Sequence, residues 1–309
     1  MLLSQKTKKP IGIERTDQRW GWLFLTPWLL GLLLFTAFPM LFSLFLAFTN
    51  YNLVPDEPTR FVGFKNWVVM VQDPQMQSAF LNTLKYIAIV VPLLIVSPLV
   101  LALFLNAKPL WLKGLFITLF FLPNLIPGVV TGLIWAGSLS PDGTVNRFLK
   151  GFGITPPAWL TEAAWVMPAI AIIGLWSIGN TILQLIAALK NAPKELFEAA
   201  TIDGASSLTM FFRITIPLMS SVLFFNVITA IIGGFQYFVV SFLLFNGQGG
   251  PNDAGMFLML KIFKEAITYR NMGYASAMSW AMLLITLLIT QVLFAMGKRF
   301  VYYAGEEQK

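Results

Sequence analysis

Apolar residues gather along this chain in six long runs separated by polar connections. The runs cover roughly 22–48, 80–105, 114–138, 163–189, 218–245 and 275–297. Each is long enough for a helix to cross a bilayer, which takes about 20 residues. The pattern predicts an all-α membrane protein with six transmembrane helices in one domain, spanning 22–297. Several runs exceed the minimum, so tilt or projection beyond the bilayer is expected. Pro27, Pro39, Pro92, Pro98, Pro123, Pro127 and Pro168 fall inside them, where neighbouring helices can satisfy the freed carbonyls. The first run is longer than the apolar core of a secretory signal, about 7–15 residues, and lacks an A-x-A site. It is read as a retained span.

Lys and Arg set the expected orientation. Thirteen of the 21 basic residues fall on the two tails (1–21 and 298–309) and on the second and fourth connections. Excess positive charge marks the cytoplasmic side, which places both termini and the fourth connection, 190–217, in the cytoplasm. On the other side, "SPDGTVN" and "ITPPAW" read as turns. There too, "MFLMLKIFKEAITYR" fits either a helix along the outer interface or a solvated loop.

Apart from Lys85, no span contains Asp, Glu, Lys or Arg, which disfavours proton coupling. Lys85 sits at a span end, where snorkelling accounts for it. The fourth span carries Trp176, Ser177, Asn180 and Gln184, with 176, 180 and 184 on one helical face. The fifth carries Asn226, Thr229, Gly233, Gln236 and Tyr237 at offsets that also share a face. Amides and hydroxyls donate and accept, and aromatic rings suit the apolar faces of sugars. These stripes fit a pathway for a neutral, hydroxyl-rich solute. They equally fit hydrogen-bonding glue between helices.

Composition narrows the chemistry further. The chain of 309 residues is 57% hydrophobic and 11% charged, with a mean hydropathy of +0.74. The net charge of +7 is explained by residues flanking spans, without nucleic acid as a partner. With no Cys and no His, thiol nucleophiles, imidazole bases and most transition-metal sites are excluded. No catalytic or metal-binding residues are assigned. No G-x-x-x-x-G-K-[ST] motif is present, so ATP hydrolysis would have to occur in another subunit.

The polar fourth connection has its own design. Pro193 suits the first turn of a helix, and Glu195 and Glu198 follow near its positive end. Gly204 can end that helix in a left-handed conformation. Ser206 or Ser207 can cap a second short helix through Leu208, Phe211 and Phe212, with Pro217 at the entry to the fifth span. Such a shape can dock in a groove on a soluble partner. Within it, "EAATIDGASSLTMFFRITIP" resembles the EAA signature of importer-type ATP-binding-cassette permeases: Glu198-Ala199-Ala200, Gly204, Ile214 and Ile216-Pro217. Ile216 stands where the signature has Leu. Together with "FLTPWLLGLLLFTAFPMLFSLFLAFTNYN", "FFLPNLIPGVVTGLIW", "GQGGPNDAG" and "GYASAMSW", the resemblance covers nearly the whole chain. It points to the carbohydrate-uptake branch, the maltose-F-like or glycerol-phosphate-A-like permeases in a short six-span form.

The resemblance implies a subunit of the cytoplasmic (inner) membrane of a bacterium or archaeon. Its implied partners are a second homologous permease subunit, two ATPase subunits and an extracytoplasmic solute-binding protein. ATP and magnesium would be bound by the ATPase subunits, with no cofactor on this chain. Carried onto this sequence, Glu195, Glu198, Ala199, Ala200, Asp203 and Gly204 form the coupling helix and its turn. The spans flanking it line the cargo cavity, with Ser177, Asn180, Gln184, Asn226, Gly233, Gln236 and Tyr237 toward cargo and Trp176 as wall. The implied cargo is a neutral sugar, oligosaccharide or polyol. An importer for glycerol phosphate or another anion is the nearest alternative, followed by a stand-alone secondary transporter or channel and by a membrane enzyme.

Overall fold

The computed structural model describes residues 13–54, 58–107 and 112–302. Lys6, Lys8, Lys9, Lys108 and Lys309, counted above for orientation, lie outside them. Among the described residues the chain is helical, with one isolated bridge between Thr49 and Phe61.

Prolines and glycines decide how each apolar run is folded. The first run contains α1 (Ile13–Leu32), a π-helical turn over Leu33–Ala37, and α2 (Phe38–Leu46). The π turn ends two residues before Pro39. A proline ring clashes with the carbonyl four residues back, here within that turn, and widening it gives the ring room. The same device recurs before Pro217, where Phe211–Thr215 is π-helical. After α3 (Lys65–Gln72), α4 (Pro74–Ala107) crosses in one piece despite Pro92 and Pro98.

The third run is broken rather than continuous. Here α5 (Lys113–Phe121) passes through a 3-10 turn, Leu122–Leu125, into α6 (Gly128–Ser138), and the two arms meet at 101°. Pro123 and Pro127 flank the break. Next come α7 (Thr144–Gly151) and α8 (Ala163–Trp176), and then α9 (Gly179–Lys190), bent 52° from α8. After α10 (Lys194–Ile202), α11 (Ser207–Met210) joins through the π turn to α12 (Ile216–Phe235) as one continuous helix. The fifth span therefore begins well before position 218 and ends at Phe235, and α13 (Val239–Leu244) is a separate element. The chain turns at Gln236–Phe238, just after Gly234 packs against α4, where a Cβ would approach Ile87 Cγ1 to 2.8 Å. Last come α14 (Leu258–Phe263), a π turn over Lys264–Thr268, and α15 (Met272–Phe300). Among the described residues four helices are long and apolar enough to span a membrane, and six if each of the two bent pairs is one span.

The packing centre is α4, which lies against α8, α9, α12 and α14. One core joins Tyr86, Val90 and Val91 of α4 to Ala169, Ile170 and Ile173 of α8 and to Phe257. A second joins Ala102 and Leu105 to Ile182, Leu185 and Met219. The first span stands apart from both. Only 6% of its most apolar window is buried, and α2 meets α15, where Trp280 Nε1 donates to Ser43 Oγ at 3.1 Å.

The first ten residues of "MFLMLKIFKEAITYR" are packed into the fold rather than solvated, whereas Ile267, Thr268, Tyr269 and Arg270 are exposed. Met256, Phe257, Leu258 and Leu260 are fully buried, and so, nearly, are Lys261, Lys264 and Glu265. A buried charge requires pairing, and Lys261 has it. Its Nζ lies 3.1 Å from Asp73 Oδ2 and 2.7 Å from Glu265 Oε1, and donates to Gln75 Oε1 at 3.0 Å. Tyr274 Oη donates to Asp73 and Asn271 Nδ2 to Glu265. This network ties α14 to the start of α4 and to α15.

Candidate functional site

Two features of the fold carry the residues singled out by sequence: a polar seam between α9 and α12, and the segment that connects those helices.

On the seam, Asn226 of α12 is buried and donates to Gln184 Oε1 of α9 at 2.9 Å and to the Val222 carbonyl at 2.9 Å. The two polar stripes therefore touch directly. Asn226 Oδ1 and Gln184 Nε2 have no partner among the described residues. A cleft beside the third-run break adjoins, at Ser177, two clefts that lie on this seam. The first, about 270 Å³, is lined by Asn124, Gly128, Thr131, Ser177 and Tyr237. The second, about 350 Å³, shares Ser177 and adds Thr181, Asn226 and Thr229. The third, about 440 Å³, holds Gln184, Asn191, Ser221 and Phe225.

The breaks redistribute the predicted residues. Trp176 belongs to α8, whereas Asn180 and Gln184 belong to α9, so the i, i+4, i+8 face is interrupted at Ser177–Ile178. Ser177, Asn180 and Gln184 are all exposed. The Trp176 ring sits edge-on to Trp135, 5.7 Å between centroids. On α12, Thr229 and Gly233 are exposed while Asn226 turns inward to α9. Gln236 and Tyr237 lie past the helix end and are not extensions of its face. Gln236 is exposed, and Tyr237 lines the first cleft while its ring packs on Tyr86 and Phe257 at 4.7 and 5.0 Å. Nothing lies within 4 Å of a Cβ placed on Gly233, so the close packing belongs to Gly234. Asn124, Thr131 and Thr181 were not singled out by sequence. The prolines around Asn124 were the available signal, since backbone freed by a break needs polar neighbours.

The connecting segment is well defined locally. Pro193 is the N-cap of α10. At its other end the Ala205 N–H donates to the Ala200 carbonyl (2.9 Å) and the Gly204 N–H to that of Thr201 (3.1 Å), with Gly204 at φ +74°. This is a Schellman ending, which the sequence anticipated at Gly204. Ser206, rather than Ser207, is the next cap: its Oγ accepts from the Thr209 N–H at 3.2 Å. Glu195, Glu198, Ala199, Asp203 and Gly204 are exposed and Ala200 half-buried. Ile202 is 86% exposed, flanked by exposed Leu196, Leu208 and Phe212. Among the described residues α10 makes at most marginal contact with other helices. It is a short, apolar-tipped helix held out from the bundle on its own hydrogen bonds.

Comparison with known proteins agrees with this anatomy. Over 297 residues the chain is 34% identical to the lactose transport system permease protein LacF of Rhizobium radiobacter, covering 94% of this chain and 95% of that protein. It is 30% identical over 282 residues to the arabinooligosaccharides transport system permease protein AraP of Bacillus subtilis, covering 90% and 88%. A chain in the crystal structure of a bacterial alginate ABC transporter, in complex with an alginate pentasaccharide-bound periplasmic protein, has the same fold. That match has a TM-score of 0.80 at 23% identity, over 93% of this chain and 96% of the other. Residues 75–301 match the model of the binding-protein-dependent transport system inner membrane component family, and the chain belongs to that family of multi-pass ABC permease subunits.

Proposed function

We propose that this chain is one permease half of an ATP-driven importer and that a neutral sugar or oligosaccharide moves along the α9–α12 seam. The observation that carries this reading is the Asn226–Gln184 pair. It joins the two polar stripes beside the clefts and leaves one amide acceptor and one amide donor unused. A hydroxyl-rich cargo both donates and accepts, so it can meet the unused Asn226 oxygen and the unused N–H of exposed Gln184. Ser177 and Tyr237 line the clefts, and in this reading exposed Asn180 and Gln236 also face cargo, with Gly233 leaving room and Trp176 as wall.

In this reading α10 is the coupling helix. Glu198 faces a basic or polar group in an ATPase groove, Ala199 and Ala200 permit close approach, and Gly204 fixes the turn. The apolar, uncovered first span suits contact with lipid and with a second permease. Both termini lie in the cytoplasm, and a solute-binding protein delivers cargo from outside. This chain binds no cofactor, and ATP and magnesium belong to the ATPase subunits. Relatives named for lactose and arabinooligosaccharides support carbohydrate cargo.

Asn180 tests the pathway without disturbing the Asn226–Gln184 bond. Loss of one or two cargo hydrogen bonds costs about 1–3 kcal/mol, or roughly 5–150-fold in apparent affinity. Asn180→Leu should therefore raise the concentration of sugar-loaded binding protein needed for half-maximal uptake, with the complex still assembled. Unchanged uptake kinetics in Asn180→Leu and in Ser177→Ala would remove the seam as the route.

A further inference from the structure

Two helix breaks, far apart in sequence, share one side chain. Asn124 lies in the 3-10 turn of the third span, between Pro123 and Pro127. Oriented so that its donors meet acceptors, its amide donates to the Ser177 carbonyl at 2.9 Å and accepts from the Gly179 N–H at 3.1 Å. Ser177 and Gly179 bracket the bend between α8 and α9. Both backbone groups are freed by that bend, and one amide satisfies both. The fit is close: a Cβ on Gly179 would collide with the Phe120 carbonyl oxygen and lie 2.7 Å from Phe121 Cα. Asn124, Gly128, Ser177 and Tyr237 line one cleft, so the breaks of the third, fourth and fifth runs converge there.

We propose that Asn124 is a positioning residue: its amide latches the third-span break to the fourth-span break and so fixes the start of α9, which carries Asn180 and Gln184. Neither backbone partner can be supplied by another residue of the same helix, because the bend removes the i to i+4 register. An apolar side chain at 124 would leave an N–H and a carbonyl unpaired and free the two arms to pivot independently. The consequence for cargo rests on the pathway reading above; the latch itself does not.

The absence of cysteine makes a direct test possible. Spin labels at Leu122→Cys and Lys190→Cys, in the complete transporter, report the distance between the two arms. With Asn124 present, one narrow distance distribution is expected at every pH. Asn124→Leu should broaden it or add a second distance. Asn124→Asp gives the sharper result. A neutral carboxyl can still donate to Ser177 and accept from Gly179, whereas a carboxylate cannot donate. A carboxyl ordinarily titrates at about 3.9, so the distribution should be narrow at acid pH, where the carboxyl is neutral, and broad near about pH 8, where it is ionised. A side chain serving only as filler would show no such pH profile. A distribution in Asn124→Leu as narrow as with Asn124, or one in Asn124→Asp that ignores pH, overturns the latch. Lactose uptake, driven through the binding protein and normalised to assembled complex, separates the two ideas. Broadened distances with a KM raised about tenfold support both, and broadened distances with KM unchanged support the latch and count against the seam as the route.

Discussion

Glu198→Lys should leave the permease folded and membrane-inserted while abolishing coupled uptake, a loss of roughly a hundredfold or more. Glu198 is exposed on α10, so its reversal removes no internal contact. The Schellman turn at Gly204 and the Ser206 cap hold the segment independently of it. What changes is the surface that α10 offers. Charge reversal at a docked interface sets like charges together, and a mismatch of that kind strongly disfavours binding. The measurement pairs ATPase rate with uptake in proteoliposomes. Hydrolysis that no longer responds to loaded binding protein, together with lost uptake, is the expected signature. Full coupling in the variant would mean that α10 does not dock through this face. Gly204→Val is a useful companion, because a β-branched residue at φ +74° is strained and should distort the turn without altering charge.

Lys261→Met should destabilise the chain by about 3–5 kcal/mol, since breaking a buried pair leaves uncompensated charge. Asp73 and Glu265 would then face each other with side-chain exposures of 18% and 8%. Thermal unfolding of the detergent-solubilised complex checks this, and a shift within error of zero would contradict it. The pH dependence has a definite sign. Burial pushes the Asp73 carboxyl up, but bonds from Lys261, its charge, the Tyr274 hydroxyl and the Met76 N–H together hold it below its ordinary value. Burial pushes the Lys261 ammonium down, but Glu265 and Asp73 more than reverse this and hold it above its ordinary value. A lowered carboxyl stabilises above its unfolded pKa, about 3.9, and loses that contribution as pH falls through the folded value. A raised ammonium stabilises below its unfolded pKa, about 10.4, and loses that contribution as pH rises through the folded value. The cluster therefore contributes fully between those limits. Lys261→Met should flatten the acid limb attributable to Asp73.

How much of this was legible in sequence depends on the range of each signal. Apolar length located all six runs, and local turn chemistry located α10, its Gly204 ending and the cap beside it. The breaks were harder. Pro123 and Pro127 marked the third run, but nothing short-range marks Ser177–Ile178. That bend brings Gly179 against Phe120 of a distant segment, a contact no local pattern reveals. The helix of the fifth run ends at Phe235, and Gly234, not Gly233, packs on α4; two adjacent glycines carry no local sign of which one does so. Lys261 and Glu265 form a readable i, i+4 pair. Asp73, which completes the triad, is brought in by the tertiary fold. Without it the segment's charges suggested water, and with it Lys261 and Glu265 are buried.

The most direct test of the account is purification of the tagged chain from native membranes, followed by reconstitution and sugar uptake. The account predicts an ATPase and a second permease in the preparation, with uptake that requires ATP and loaded binding protein. A chain that purifies alone and moves solute without ATP would contradict it at its centre.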